Sequence, residues 1–495
     1  MKREAAWTPL HCDAREPRGG RACVRQRSTV RFLSEVDVTM NRAHLHQPAL
    51  EHLTGDALRD HQLLKLRTQL VRVYRDSPYY REKFDAAGVD PLRFGGWDDF
   101  ARYPFFDKDE ERVSQERSRE EMGHPFGMHV TCDVRDINRV SASSGTTGAP
   151  TYIGYTANDR AVSQDHVARM MARAGLKRGD RVLFAGVMSM WIVGIPAVDA
   201  LLNLGFCVIP IGGLATTERF AQTAIDTRAD MMMCTPSYAL HLIKAVPQKT
   251  RWSTEAFGIR KLIVFGEPGG SIPEIRDQLS AGFGGAEIYD MSGGTGCTNP
   301  LGLSCEAHNG IHIFGNDNAL MEILDQDLNP LPIENGVEGE VVFTGLVKEC
   351  QPLIRWRDKD LIRVYTDPCP CGRPGPRIEF RGRIDDMLLV KGVNVFPNAV
   401  RDVVAASSDL VGGEIQLLRY SDSAVVEAPV DVEVCLKPHV AAEAHARLAQ
   451  ELEGAIQNKL RFRARVHLIE PDKFSMEYGA TGKAKLVRTV DRPAT

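Results

Sequence analysis

The sequence predicts an α/β protein: a large N-terminal body of several subdomains, followed by a small α+β unit. Three observations carry this. Between Arg181 and Val390, short apolar runs such as RVLFAGV, FCVIPIG, ADMMMC and KLIVFGE alternate with helical segments, the arrangement that builds parallel strands joined by crossover helices. From Glu322 the texture changes to hairpins: MEILD, then GEVVFTG, then LIRVYT. After GRIDD a separate helix-and-strand pattern begins near Met387, which puts a boundary at Asp385 and divides the chain into 41–384 and 385–495. A chain of 495 residues has room for one large and one small domain.

Residues 1–40 are Arg-rich and turn-rich without periodicity, and are expected to be disordered. From Leu53 onward, Leu63, Leu64, Leu66, Leu70, Val71 and Val73 fall close to helical spacing, and Ser77-Pro78 ends the segment. The longest uncharged run, VLFAGVMSMWIVGIPAV at 182–198, reads as a buried strand followed by a pocket-lining helix. It is shorter than the ~20 apolar residues of a membrane span and contains Gly186, Gly194 and Pro196. A formal net charge of -4 gives no basic surface for nucleic acid. With no apolar leader and eleven scattered cysteines, a reducing cytoplasm and no membrane partner are expected. A homodimer is the commonest assembly among soluble oligomeric proteins and is the possible state here.

The chemistry starts at SASSGTTGAPTYIGYT, residues 141–156, where small hydroxylated and glycine residues sit between two β-prone runs. Successive N–H groups in such a turn converge into an anion-binding nest. The nucleoside-triphosphatase pattern G-x-x-x-x-G-K-[ST] has no match, since Ala149 follows Gly148. A solvated turn is the competing reading, so other residues must decide.

Four separated stretches speak together: the Ser143–Gly148 turn, FGEPGG at 265–270, YDMSGGTG at 289–296, and IRWRDKDLIR with EFRGRIDDMLLVKGVNVFP between 354 and 397. With SPYYREKFDAAGVDP and YPFFDKDE near the front and TGKAKLVR at the end, their order and wording resemble the phenylacetate-CoA ligase family of the adenylate-forming superfamily. The resemblance covers nearly all of 50–495. It implies an enzyme that activates a carboxylic acid with ATP, releases pyrophosphate and passes the acyl group to a thiol.

By that resemblance Ser144, Gly145, Thr146, Thr147 and Gly148 grip the ATP phosphates, with Thr147 nearest the chemistry. Gly266, Glu267 and Pro268 pack the adenine, although Gly-Glu-Pro is also a common turn after a strand. Tyr289 matches the aromatic residue flanking the base, with Asp290 beside it. Asp360 matches the carboxylate that accepts from the ribose hydroxyls, a two-acceptor geometry suited to a diol. Arg381 or Arg383 reaches the ribose or α-phosphate, Arg383 being the closer match. Asp385 corresponds to the hinge of a mobile cap, and Lys483 to the cap lysine that bridges the attacking carboxylate and the α-phosphate. Phe184, Met188, Trp191, Ile192, Ile211, Ser237 and Gly293 are candidates for the acyl pocket or for core packing. Their mostly apolar character suits an aryl acid, an amino- or hydroxy-benzoate or a phenylacetate. CoA is the implied acceptor, with a carrier protein, amine or hydroxyl as alternatives.

Two positions depart from the family. Ala149 stands where lysine is usual, and Gly296 where a glutamate helps hold Mg²⁺. Magnesium is still expected, because it leans on substrate phosphates and keeps several waters. The departures also motivate a rival reading, a degenerate member that binds nucleotide or aryl acid without turnover. Separately, Cys305 and His312 in CEAHNGIH, with Cys369 and Cys371 in DPCPCGRPG, compose a three-thiolate, one-imidazole set for structural Zn²⁺. Cys297 and His308 are the substitutes, and unligated thiols the alternative.

Overall fold

The computed structural model describes residues 45–490 except 144–149, 213–214, 294–299, 385–386, 392, 407, 409, 422, 424, 439 and 477–485. The stretch 1–40 and the boundary residue Asp385 therefore lie outside the described residues.

Helix α1 (Gly55–Asp76) forms because Leu66, Leu70 and Val73 recur at helical spacing and are fully buried. Leu64, expected on the same stripe, is 70 % exposed: two residues from Leu66, it points to the other side of the cylinder. Ser77 closes α1 in an extended conformation, and its Oγ accepts from Tyr80 N at 3.2 Å, so one residue ends a helix and caps the next, Pro78–Ala86. Helix α2 (Lys108–Glu121) starts on a reciprocal capping box between Asp107 and Glu110. A hairpin of β1 (Arg139–Ser143) and β2 (Thr151–Tyr155) pairs Ser143 with Thr151, so these strands carry the Ser/Gly/Thr loop at their tip. Helix α3 (Ala157–Arg173) follows on a second capping box, Thr156 with Asp159.

Five parallel strands come next: β3 (Arg181–Phe184), β4 (Cys207–Ile209), β5 (Met231–Cys234), β6 (Lys261–Phe265) and β7 (Glu287–Ser292), ordered β7-β6-β5-β3-β4. Helices α4 (Gly194–Asn203), α5 (Thr217–Thr227), α6 (Pro236–Lys249) and α7 (Pro273–Gly282) are interleaved with them. Met231 and Met233 enter one apolar cluster and Met232 and Cys234 another, which is why these strands read as continuous apolar runs. The architecture is the α/β class that the alternating pattern predicts.

The 182–198 run departs from expectation. No helix follows β3 directly; Val187, Met188 and Met190 are exposed on a loop, and α4 starts only at Gly194. The chain doubles back there, so closely that a Cβ on Gly194 would lie 2.1 Å from Val187 O.

The same sheet continues in antiparallel pairing through β8 (Gly302–Ser304), β9 (Ile311–Ile313), β10 (Ala319–Leu324), β11 (Glu338–Gly345), β12 (Trp356–Tyr365) and β13 (Arg377–Arg383). Its spatial order there is β7-β8-β9-β13-β12-β11-β10. The C-terminal part holds β14 (Leu388–Val390), β15 (Val393–Val395), α8 (Pro397–Ala405), β16 (Val411–Arg419), β17 (Val430–Leu436), α9 (Ala442–Leu460), β18 (Ala464–Ile469) and β19 (Val487–Thr489). Its four-stranded sheet, β18-β17-β16-β19, has its own core of Val400, Val404, Leu452 and Ile456 among others. No helix among the described residues is long and apolar enough to cross a membrane.

Candidate active site

Ligands of an open parallel sheet sit outside the carboxyl ends of its strands. Here the turns leaving β3, β5 and β6 converge at that end. Gly266 has φ +89, a conformation that side chains resist, and a Cβ there would lie 3.1 Å from Trp191 Cη2 and 3.7 Å from Thr235 Cγ2. Trp191 in turn packs 5.7 Å, centroid to centroid, from Phe265. Glu267 Oε1 accepts from Ser237 N at 2.7 Å, placing a carboxylate at the N-terminus of α6, where the helix dipole favours it. Gly212 N donates to Phe184 O at 3.1 Å, and a Cβ on Gly212 would lie 3.7 Å from Met188 Cε, so Ile211 joins the same end. Met188, Trp191, Ile211, Ser237, Gly266 and Glu267 are thus brought together; Ile192 is half-buried against the adjoining core, and Pro268 is exposed.

Phe184 takes the other role open to it. It is fully buried and stacks on Phe265 at 6.1 Å, so it supports the cleft from below. The β1–β2 hairpin docks beside the 187–191 loop through Ala142 N donating to Met190 O at 2.6 Å. Its tip residues Ser144, Gly145, Thr146, Thr147 and Gly148 lie outside the described residues, as do Ala149, Gly296 and Lys483.

Tyr289 and Asp290 project to opposite faces of β7. Tyr289 is 4 % exposed within the core, and its hydroxyl donates to Glu287 Oε2 at 2.9 Å. Burial pushes the phenol up, and the ring has almost no surface to offer a base. The strand opens to solvent at Ser292 and Gly293 instead. Asp290 Oδ2 accepts from Ser271 N at 2.8 Å, and a Cβ on Gly270 would lie 2.7 Å from Asp290 Cβ, so Asp290 clamps the turn after β6. Its burial raises the carboxyl to about 6.

Asp360 and Arg383 are register partners on β12 and β13, with Arg383 Nη1 3.3 Å from Asp360 Oδ1. Arg381 instead bonds Glu379 Oε1 at 2.7 Å. Helix α8 seats on this edge: a Cβ on Gly382 would lie 3.2 Å from Phe396 Cδ1. Burial pulls the Arg401 guanidinium down, while Asp402 and Glu267 oppose that shift; burial raises Asp402, opposed by Arg401 and Arg381. Arg401 Nη2 lies 3.5 Å from Asp402 Oδ1, and the pair is within electrostatic reach of Arg381 on β13 and of Glu267 in the turn after β6. Sequence reasoning missed both, because NAVRDVV reads as an ordinary amphipathic helix.

No family model matches the chain. A phenylacetate-coenzyme A ligase of Thermus thermophilus is 35% identical over 395 residues, covering 79% of this chain and 84% of the relative. The chain belongs to the phenylacetate-CoA ligase family. It is an AMP-forming acid–CoA ligase by that membership. The crystal structure of 2-hydroxyisobutyryl-CoA ligase in the postadenylation state with 2-HIB-AMP matches with TM-score 0.78 and 28% identity, over 92% of this chain and 94% of that one. The same ligase with 2-HIB-AMP and CoA in the thioesterification state matches with TM-score 0.65 and 28% identity, over 92% and 95%.

This ligase also carries a compact thiol–imidazole cluster. The ligand atoms of Cys305, His312, Cys369 and Cys371 all lie within 4.8 Å of one another, and all four residues are buried. Cys305 Sγ is 3.6 Å from Cys369 Sγ, and Cys371 Sγ is 3.3 Å from His312 Nε2. A tetrahedron with Zn–S bonds of about 2.3 Å has edges of about 3.8 Å, so the donor set fits zinc with adjustments of up to about 1 Å. Arg373 N donates to Cys371 Sγ at 3.4 Å. The neighbouring Cys371 and His312 hold the Cys305 thiol well below its usual range against the effect of burial. His308 is not in this group, and Cys297 lies outside the described residues. Because β8 runs antiparallel to β7 with Gly302 opposite Ser292, Cys305 lies back from the open end of β7. The cluster ties β8 and β9 to the turn between β12 and β13, which leads into the strand carrying Arg383.

Proposed function

We propose that this ligase adenylates an arylcarboxylic acid, of the amino- or hydroxy-benzoate or phenylacetate type, and passes the acyl group to CoA. The observation that carries the aryl assignment is the indole of Trp191 lying over Gly266, with Phe265 beside it, at the mouth of the parallel strands. A flat ring finds aromatic and aliphatic walls there and few polar groups.

Adenylation requires a carboxylate oxygen to attack the α-phosphorus of MgATP, so two anions must be held together and the developing charge neutralised. In this reading the Ser144, Thr146 and Thr147 hydroxyls at the hairpin tip hold the outer phosphates. Asp360 accepts from the ribose hydroxyls, and Arg383 orients Asp360 from the opposite strand. Lys483 supplies the last positive charge at the attacked phosphate. The magnesium that accompanies ATP is held by phosphates and water, since Gly296 offers no carboxylate. Residues 385–495 act as the cap, turning about Asp385 between the two half-reactions. The higher similarity to the postadenylation state than to the thioesterification state supports assigning the present arrangement to the first. Zinc at Cys305, His312, Cys369 and Cys371 is structural, stiffening the sheet outside the cleft.

Pyrophosphate release with ATP and a panel of aryl and aliphatic acids tests the first step, and product mass with and without CoA tests the acceptor. Release with aliphatic acids alone would overturn the aryl reading. Nucleotide binding without release for any acid would return the degenerate binding protein to favour.

A further inference from the structure

Two cysteines outside the metal cluster lie together. Thr131 N donates to Cys350 O at 2.9 Å, and Thr131 Oγ1 donates to Glu349 O at 2.5 Å, so the 131–132 segment runs alongside 349–350. Backbones joined this way bring the Cα atoms of residues 131 and 350 to about 5 Å, and Cys132 follows directly on the same segment, near the separation that a disulfide spans. Cys132 is half-buried and Cys350 fully buried, both are free thiols, and each thiol lies close enough to perturb the other. The backbone under Cys350 is rigidly held: Asp159 accepts from Glu349 N at 2.6 Å and from Cys350 N at 3.0 Å. On the other side the Cys350 sulfur presses on β2, 2.7 Å from where a Cβ on Gly154 would lie.

We propose that Cys132 and Cys350 are a redox-active thiol pair that closes to a disulfide under hydroperoxide. The two roles differ by access. Cys132 reaches solvent, and the Cys350 thiol beside it holds it below the ordinary thiol range. Its thiolate attacks a peroxide oxygen, breaking the O–O bond to give a sulfenic acid; the departing hydroxide takes up a proton as water. Cys350, whose thiol is held high by Cys132 and by burial, is the resolving partner. Its sulfur attacks the sulfenic sulfur, the S–S bond forms, and the second oxygen leaves as water. Two thiols are oxidised by two electrons and one peroxide is reduced to two waters. Dithiol reductant reverses the change by exchange.

Neither residue belongs to the proposed adenylation machinery, but the pair touches it at one remove. Lys348 Nζ donates to Gly154 O at 3.2 Å, and Gly154 N donates to Gln351 Oε1 at 2.6 Å, so the 348–351 segment braces the strand that leaves the Ser/Gly/Thr loop.

The test uses the full, metal-loaded chain treated with hydrogen peroxide, followed by intact mass and by differential alkylation with peptide mapping. A loss of about 2 Da, a 132–350 cross-linked peptide and full recovery with dithiothreitol are expected. Cys132→Ser, at a half-exposed position, should abolish that cross-link; it carries the test even if Cys350→Ser does not fold. Three results would overturn the proposal: Cys132 and Cys350 remaining alkylatable while other cysteines oxidise, Cys132 advancing to sulfinic acid without pairing, or the same 2 Da loss in Cys132→Ser.

Discussion

Gly266 sits beneath Trp191, with the indole Cη2 3.1 Å from where a Cβ on residue 266 would lie. The glycine's φ of +89 and the indole above it each exclude a side chain. Gly266→Ala should therefore push the indole outward and strain the turn, lowering kcat/KM for the acid by about 10- to 100-fold. Pyrophosphate release measures the loss, and an unchanged circular dichroism melt shows that it is local. Unaltered kinetics would remove this contact from the acid pocket.

Asp360 faces Arg383 across β12 and β13, and the pairing fixes where its carboxylate points. If it accepts from both ribose hydroxyls, Asp360→Ala removes two charge-assisted bonds and raises KM for ATP by about 10- to 100-fold. Asp360→Asn keeps one acceptor and loses less. Titration with ATP, and with 2′-deoxy-ATP as comparison, reads this directly: the deoxy nucleotide should discriminate in the wild type and not in Asp360→Ala.

These two sites show where sequence reasoning succeeds and where it stops. The parallel strands were legible because burial on both faces makes them continuous apolar runs, and the turns because glycine marks places that no side chain fits. Tyr289 shows the limit: a tyrosine at the end of a strand looks the same in sequence whether it faces a ligand or the core, and here Glu287 and the sheet draw it inward. Arg401 was invisible because Glu267, the carboxylate whose field it feels across the fold, is 134 residues away in sequence. Cys369 and Cys371 could be paired with Cys305 and His312 only because metal-binding side chains carry their chemistry in their identity.

Asp290 predicts a pH dependence. Its folded carboxyl titrates near 6, above the ordinary aspartate value near 3.8, because it is buried. Between these values the folded state binds more protons than the unfolded one, so stability falls as pH rises from about 4 to about 6 and then levels. The full shift corresponds to about 3 kcal/mol at most. Asp290→Asn keeps an acceptor for Ser271 N and carries no charge. The difference in urea midpoint between variant and wild type should be small at pH 4 and favour the variant increasingly up to pH 6.5. A difference independent of pH would mean that Asp290 is not the group responsible.

Arg401 on α8 lies within electrostatic reach of Glu267 in the turn after β6, and its Nε is buried with no hydrogen-bond partner among the described residues. If the present arrangement is the postadenylation one, this contact belongs to one half-reaction only. Arg401→Ala should slow ATP–pyrophosphate exchange by about 5- to 30-fold while leaving thioester formation from supplied acyl adenylate within about twofold. A merely structural residue would slow both equally.

The cysteine cluster predicts a metal dependence that does not involve the chemistry. With all four donors buried and close to tetrahedral spacing, purified protein should hold about one equivalent of zinc that survives dialysis. Cys371→Ser removes one thiolate and leaves the remaining donors facing one another without the ion. Loss of the bound metal is loss of folding free energy, so its thermal midpoint should fall by about 5–10 °C, and a strong chelator should bring the wild type down to the same value. The cluster lies back from the open end of β7, so residual activity per folded molecule at low temperature should stay within about threefold of wild type. A metal content below about half an equivalent after metal-free purification, with an unchanged midpoint in Cys371→Ser, would leave three reduced thiols and an imidazole packed as an ordinary core.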